Sequence, residues 1–378
     1  CAGQIEFPDY DGEDYCTVHT NGGEDLFWSY PYESAGIFNT DFTELFPDLP
    51  DTDMPGTTLA VHQSPDKSMY WLAGQEGLLV QIDASSMSST SIVMDLSGGI
   101  FYDSYEEGLL DFAFSPMFDS NGFFYVSWTV DEDYAKNRLS KFQYYAGDPD
   151  ATRDSEEVLL ESSKRATYFH NGGWVGFKPN DYGNNADYHD LYWALGDSGP
   201  QEDPYNHAQR TDVLLGSMVR ISVPSGGTGY QVPSDNYPDA ELSEICAIGF
   251  RNIWRCGFDS LTDELYCGDV GHESIESIYK IECGNNYGWV RFEGSRCSDF
   301  SEDVYGLCGE ADRSGYVFPL FEYCHYDYDS DLSSEDVYTN ENDICGDRLV
   351  VGNTVIGGHV YRGQAYADVL YGAYVFAD

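Results

Sequence analysis

The stretch that decides the fold runs from Gly249 to Gly294 and reads GFRNIWRCGFDSLTDELYCGDVGHESIESIYKIECGNNYGWVRFEG. It holds an Arg-Asn pair, two cysteines on either side of a turn, a Gly-Asp-Val-Gly loop and an Asn-Tyr-Gly-Trp segment. Short apolar runs alternate in it with clusters of Gly, Asp and Asn. This pattern is typical of short strands that are joined by tight turns.

Two cysteines of this stretch predict a cross-linked hairpin. Cys256 and Cys267 lie at equal distances from the centre of the turn between them. In a simple antiparallel hairpin they would face each other with Cα atoms ~4.5–5.5 Å apart, which suits a disulfide. The chain has ten cysteines and no CxxC pair, so we expect disulfides and an oxidising compartment rather than a zinc ribbon. Cys1 and Cys16 are a second candidate pair by proximity alone.

The same strand-and-turn pattern extends along the chain. A Gly-led unit of two strands recurs over 108–128, 172–195 and 249–268, at a spacing of about 60–80 residues that suits one propeller blade. The sequence therefore predicts an all-β protein, and a six-bladed β-propeller with disulfide-stabilised loops is favoured over a large sandwich. Ten short runs predict strands: 69–73, 78–82, 123–128, 139–144, 191–195, 218–223, 264–267, 277–281, 359–362 and 373–376.

Two acidic regions interrupt the pattern. Residues 1–55 predict an N-terminal extension or cap, and residues 323–347 an insertion within the propeller at 56–378. Asp327, Asp329 and Asp331 alternate in the insertion, and carboxylates so spaced can bind calcium. Leu332 stands where an EF-hand requires Gly, so that motif is rejected. A looser calcium site and a solvated acidic loop both remain open.

The charge of the chain limits its partners. There are 66 acidic residues against 18 basic ones, a net charge of −48. The charge disfavours nucleic acids and anionic membrane surfaces as partners, because like charges repel. No apolar run reaches the ~18 residues of a membrane span. With the cysteine count, this predicts a secreted protein that begins at a processed or otherwise defined Cys1.

Several short segments occur in an order that carries a family resemblance. They are EGLLDFAFSP (107–116), HNGGWVGF (170–177), GDSG (196–199), DPYNHAQ (203–209), GFRN (249–252) and GGHVYRG (357–363). The chain resembles the glucose/sorbosone dehydrogenase family, and the WRC…YCGDVG wording is similar to its hedgehog-interacting-protein-like branch. The resemblance covers roughly residues 59–378 and also implies a six-bladed propeller.

The resemblance implies a catalytic set. Enzymes of the family carry pyrroloquinoline quinone (PQQ) over a central channel, and a histidine removes the proton of a sugar hydroxyl. By resemblance, His170 is the general base, Asp197 orients it, and Arg251 and Asn252 face the quinone oxygens. Arg362 lies where the enzymes carry a Lys near the cofactor.

The resemblance also implies a calcium ion, and it has one clear departure. The backbone carbonyls of Gly271 and His272 match the loop that holds calcium beneath the cofactor. Glu106, however, stands at a cofactor-contacting position where the enzymes have Gln, and its carboxylate would repel a cofactor with three carboxylates. The plainer interpretation, in which His170, Asp197 and Arg251 only stabilise the fold, stays open.

Two functions follow. In the first, the chain is a secreted non-catalytic propeller that binds an extracellular protein or carbohydrate or builds an assembly. If the chain ends at Asp378, the last blade is incomplete and its open edge could take a strand of a neighbouring subunit; a truncated sequence is the simpler explanation. In the alternative, the chain is a PQQ- and calcium-dependent soluble sugar dehydrogenase that oxidises an aldose with His170 as general base.

Overall fold

The computed structural model describes residues 26–30, 34–37, 57–87, 90–102, 106–130, 136–163, 166–298, 313–325 and 352–378. Within these ranges the protein consists mainly of antiparallel strands. The chain divides into two compact units. The large unit comprises residues 44–253 and 283–286, and the small unit comprises 1–43, 254–282 and 287–378.

The strands and helices are short throughout the described ranges. The helices are α1 (Phe118–Asn121), α2 (Pro149–Asp154) and α3 (Ala367–Leu370). None of them has the length and apolar content that a membrane crossing requires. The strands are β1 (Leu26–Tyr30), β2 (Ser34–Ile37), β3 (Thr58–Gln63), β4 (Met69–Gly74), β5 (Leu78–Asp83), β6 (Thr90–Asp95), β7 (Leu109–Phe114), β8 (Phe123–Val130), β9 (Lys136–Gln143), β10 (Glu157–Glu161), β11 (Val175–Phe177), β12 (Tyr188–Ala194), β13 (Ser217–Pro224), β14 (Ile245–Ile248), β15 (Ile253–Phe258), β16 (Leu265–Asp269), β17 (Ile275–Ile281), β18 (Phe292–Glu293), β19 (Arg296–Cys297), β20 (Phe321–Cys324), β21 (Gly357–Val360) and β22 (Tyr374–Ala377).

The large unit contains three four-stranded antiparallel sheets. Their strand orders are β3-β4-β5-β6, β10-β9-β8-β7 and β11-β12-β13-β14. All six residues of β7 are buried, so side chains on both of its faces pack against other parts of the unit. Trp71 of β4 packs edge-on against Phe114 and Phe124, with ring centroids 4.8 and 5.1 Å away. This aromatic packing joins the first two sheets in one core.

The small unit contains two four-stranded sheets and the two-stranded sheet of β18 and β19. One sheet has the order β15-β16-β17-β20, and the other has the order β2-β1-β22-β21. In the second, β1 pairs with β22 in the register Leu26↔Ala377 and Ser29↔Tyr374. Strand β22 therefore has a hydrogen-bonded partner on each side, β1 and β21.

The strand predictions agree with the structure. All ten predicted runs overlap strands, and the three Gly-led units are the first two strands of three sheets, β7–β8, β11–β12 and β15–β16. These pairs form because short apolar stretches alternate with turns that local sequence encodes. The described residues form five four-stranded sheets.

Disulfides fix two points of the fold. Cys256 and Cys267 are bonded with Cα atoms 4.1 Å apart, which confirms the predicted hairpin. Cys246 is bonded to Cys283 across a separation of 37 residues, which ties the segment 283–286 to the large unit.

Some predictions fall on residues outside the described ranges. They concern the Cys1–Cys16 pair, most of the acidic insertion, and Asp327, Asp329 and Asp331. Within the predicted extension 1–55, only the backbone of β1 and β2 is described.

Candidate functional site

Three segments of the large unit meet at the candidate site. His170 lies just before β11, Asp197 just after β12, and Arg251 between β14 and β15. The amide of Asp197 donates a hydrogen bond to the carbonyl of Arg251 (2.8 Å), and that of Ser198 donates to the carbonyl of His170 (3.2 Å). A Cβ atom at Gly196 would lie 2.3 Å from the His170 oxygen and 2.9 Å from the Arg251 oxygen. The segments approach this closely because residue 196 is glycine.

His170 and Asp197 form a buried pair. Nδ1 of His170 lies 2.6 Å from Oδ1 of Asp197, and the two residues are 4% and 0% exposed. Asp197 also accepts a hydrogen bond from the amide of Gly199 (2.7 Å). A carboxylate at Nδ1 favours the tautomer in which that nitrogen carries the proton and Nε2 keeps its lone pair. No protein group in the described ranges bonds to Nε2, which leaves this atom available as a base.

The backbone around this pair is strained. His170, Ser198, Asp203 and Asn206 adopt positive φ angles of 55°, 69°, 44° and 53°. Such conformations are uncommon for residues other than glycine and cost of order 1–3 kcal/mol each. Next to His170, Nδ2 of Asn171 donates hydrogen bonds to the carbonyls of Glu106 and Tyr168, both at 2.8 Å. Strain of this kind clusters at functional sites.

Glu106 anchors the segment that carries His170. Its Oε2 accepts hydrogen bonds from the backbone amide of His170 (2.7 Å) and from Nδ2 of Asn252 (3.0 Å). Oδ1 of Asn252 accepts a further bond from the amide of Gly172 (3.0 Å). The Glu106 carboxylate thus belongs to the site, and the side-chain amide of Asn252 links it to the backbone at Gly172. A cofactor contact of Glu106 or Asn252 stays a prediction.

Arg251 supplies a buried positive charge. It is 6% exposed, and its Nε lies 3.4 Å from the carbonyl oxygen of Gln201. Arg362 belongs to the small unit, where it forms a two-point ion pair with Asp259, the Nε–Oδ1 distance being 2.8 Å. The hydrogen bonds and charge of Asp259 raise the pKa of Arg362. The expected cofactor role of Arg362 stays a prediction.

The loop at Gly271 and His272, in the small unit, surrounds buried carboxylates. Oε1 of Glu293 accepts hydrogen bonds from four consecutive amides, those of residues 272 to 275, at 2.8–3.1 Å. The Gly271 amide donates to Oε2 of Glu276 (3.1 Å), and a Cβ at Gly271 would lie 1.9 Å from the Ile275 oxygen. The amides thus form a nest for an anionic side chain. Calcium binding by the Gly271 and His272 carbonyls stays a prediction.

The described part of the chain contains no group of three or more His, Cys, Asp or Glu side chains placed to hold a metal ion.

Sequence reasoning gave no role to two residues of the site. Nδ1 of His207 lies 2.8 Å from the carbonyl oxygen of Asp197, and the Asp203 carboxylate accepts the amides of His207 (2.8 Å) and Ala208 (2.9 Å). Burial, together with the charge of Asp197, raises the pKa of Asp203 to about 7. The segment 203–209 is part of the family pattern, but nothing in it marks the role of His207, because the link to Asp197 runs through a backbone carbonyl.

Comparison with known proteins relates the chain to a family. Residues 56–322 match the model described as glucose / sorbosone dehydrogenase. The chain is 27% identical to the HIPL1 protein of Arabidopsis thaliana, over 97% of this chain and 57% of that protein. It is 23% identical to quinoprotein glucose dehydrogenase B of Acinetobacter calcoaceticus, over 83% of this chain and 62% of that protein. The chain thus spans less than two thirds of either relative.

A solved structure supports the fold class. The PQQ-bound form of aldose sugar dehydrogenase from Streptomyces coelicolor aligns with 71% of this chain and 68% of its own, at a TM-score of 0.53 and 21% identity. This likeness concerns the fold and supports the all-β propeller class that the sequence predicts.

Proposed function

Because the chain belongs to the glucose/sorbosone dehydrogenase family, we propose that the His170 site oxidises a hydroxyl group of a sugar. The observation that carries the proposal is the buried His170–Asp197 pair, in which Nδ1 is held and Nε2 has no protein partner in the described ranges. We further propose that the sheets are blades of a six-bladed ring and that the protein acts outside the cell. The five four-stranded sheets and the disulfides support these two points.

The residues of the site suit the proton step of such an oxidation. Oxidation of an alcohol removes the hydroxyl proton and a hydride from the adjoining carbon. Nε2 of His170 takes the proton, and the carboxylate of Asp197 stabilises the imidazolium that results. The guanidinium of Arg251 stabilises negative charge that develops on oxygen in this poorly solvated position.

The hydrogen-bond donors of the site suit the quinone carbonyl groups of PQQ, the molecule bound in the Streptomyces coelicolor structure. A quinone supplies a two-electron acceptor when it is bound. The buried guanidinium of Arg251, whose backbone carbonyl accepts the amide of Asp197, would hold the carbonyl oxygens of the quinone. Oε2 of Glu106 already accepts hydrogen bonds from two N–H donors. These bonds reduce the repulsion that the sequence predicts between Glu106 and the carboxylates of the cofactor. A cofactor contact of Arg362, and calcium at Gly271 and His272, stay predictions from the sequence.

Reconstitution tests the proposal directly. The purified protein is incubated with PQQ and calcium, and reduction of an artificial electron acceptor is followed with a panel of aldoses. We expect turnover that falls by about 10²–10⁴-fold in His170→Ala. His62→Ala is the matched control, because His62 also pairs with a carboxylate in the large unit, that of Asp111 (2.9 Å). Quinone that binds without turnover, or equal losses in both variants, rejects the proposal.

A second candidate is a non-catalytic extracellular protein that binds a protein or carbohydrate partner. The Glu106 carboxylate and the net charge of −48 favour it, because both oppose binding of an anionic cofactor. Titration of PQQ against the wild type and Glu106→Gln separates the candidates. Micromolar binding by the variant alone supports the second candidate, and equal binding by both supports the dehydrogenase. Assembly by strand addition would use an edge other than β22, which is paired on both sides.

A further inference from the structure

An exposed aromatic side chain lies next to the site on a fixed support. Tyr205 is 57% exposed, and its ring stacks on that of His207 with centroids 5.5 Å apart and an interplanar angle of 26°. Asp203, two positions before Tyr205, and Asn206, directly after it, have positive φ angles, and the Asp203 carboxylate accepts hydrogen bonds from the amides of His207 and Ala208. These hydrogen bonds fix the loop in a conformation that leaves the tyrosine exposed to solvent.

His207 connects this tyrosine to the His170 site. Its Nδ1 is fixed on the carbonyl of Asp197, the residue whose side chain holds His170. A carbonyl accepts only from a protonated nitrogen, so Nε2 of His207 carries the lone pair in the neutral ring. Within the described ranges no protein atom bonds to that Nε2. Asp197 thus holds two imidazoles, each with an Nε2 that bonds to no protein atom in the described ranges.

The chemistry of the pair selects a class of ligand. A flat aromatic face beside a hydrogen-bond acceptor suits a sugar ring, because a sugar has an apolar C–H face and hydroxyl groups at its edge. The net charge of −48 disfavours anionic sugars. A metal ion is a poorer occupant, because the described residues offer no cluster of three or more metal-binding side chains there.

We propose that Tyr205 and His207 form a second sugar subsite, and that the substrate is a neutral oligosaccharide. Its terminal ring enters at His170, and the adjoining ring stacks on Tyr205 and donates a hydroxyl to Nε2 of His207. The assignment of the oxidised ring rests on the proposed function, but the stacking does not.

Binding without cofactor tests the subsite. Isothermal titration is run with glucose and with cello-, malto- and laminari-oligosaccharides of two to five units. In at least one series we expect affinity to rise about tenfold from one ring to two, because stacking and burial of a second ring add roughly 1.4 kcal/mol. Tyr205→Ala removes this rise, Tyr205→Phe keeps it, and His207→Ala weakens it. Tyr188→Ala is the matched control, since Tyr188 is a 42% exposed tyrosine on β12.

The outcomes separate the subsite from the oxidation. Equal affinity for one and two rings in every series, an unchanged rise in Tyr205→Ala, or no sugar binding at all overturns the subsite. A length-dependent affinity that needs Tyr205, in a protein that binds quinone but does not turn over, leaves the subsite standing while the dehydrogenase proposal fails. If aldoses are turned over and Tyr205→Ala leaves the affinity for longer sugars unchanged, the dehydrogenase proposal stands and the subsite fails.

Discussion

Two buried polar clusters of this molecule, one in each unit, differ in how completely their hydrogen bonds are satisfied. In the small unit, Oε1 of Glu293 accepts four backbone amides. Nearby Glu276 accepts the amides of Gly271 and Val355 and pairs with His325, whose Nε2 lies 2.6 Å from its Oε1. In the large unit, His170 is held as firmly through Nδ1, but its Nε2 has no protein partner among the described residues.

The difference separates a structural cluster from a chemical one. Buried polar groups are almost always hydrogen-bonded, so the Glu293 cluster needs no ligand to explain it. The His170 cluster combines positive φ angles, a buried cation and an available base. Strained backbone costs stability, and features of this kind cluster at sites where function requires them. Substitutions in the first cluster should therefore cost stability, and substitutions in the second should cost function.

The largest effect is expected at Asp197. Asp197→Asn keeps the shape of the side chain but removes the carboxylate that selects the Nδ1-protonated tautomer, and we expect turnover to fall by about 10³-fold or more. The melting temperature should change little. Steady-state kinetics and thermal unfolding are measured on the same preparation. A loss of stability as large as that of Glu293→Ala would place this pair with the structural cluster.

Glu293→Ala should show the opposite behaviour. Four amides of the loop 272–275 lose their acceptor in a buried place, and we expect about 4 kcal/mol less stability. Glu293→Gln is the control, because its amide oxygen can still accept these bonds. Denaturant unfolding measures both variants. If the Ala and Gln variants are equally stable, the amide nest does not stabilise the loop.

A smaller, pH-dependent effect is expected at His325. Burial lowers the pKa of His325, but the hydrogen bond and charge of Glu276 outweigh it, so the pKa is raised overall. A raised histidine pKa stabilises the fold below the ordinary value of about 6.5, and this contribution disappears as the pH rises through the folded value. His325→Gln should therefore be less stable than the wild type at pH 6, with a smaller difference at pH 9. Unfolding curves across this range provide the check, and a constant difference would contradict the ion pair.

The smallest effect is a shift in one titration. The pKa of Asp203 is raised to about 7 by burial and by the charge of Asp197. Asp197→Asn removes that charge, so the pKa of Asp203 should fall towards its ordinary range while burial keeps part of the shift. Carbon-13 NMR of the carboxyl group follows the titration in both proteins. An unchanged midpoint would mean that Asp197 and Asp203 do not share one electrostatic environment.

Local patterns predicted most of the described fold. Each predicted run overlaps a strand because alternation and turn residues act within a few positions, and Cys256–Cys267 follows from the symmetry of one hairpin. The link between Cys246 and Cys283 could not be predicted, because it depends on how distant segments meet.

The candidate site was predictable only in part. His170, Asp197 and Arg251 came from the order of family segments, and the structure brings their backbones together. The parts played by Glu293 and His207 run through main-chain amides and carbonyls. Every residue has such groups, so sequence does not mark the ones that will be used.

The pairing of β1 with β22 has a consequence for synthesis of the chain. Leu26 and Ala377 become neighbours, so this sheet cannot be completed on the ribosome until nearly 350 further residues have been made. Until then β1 and β2 form at most a hairpin, which is marginally stable in water by itself. Sequestration of that hairpin by a chaperone, or its removal by an early protease cut, would leave β22 with one unpaired side after translation.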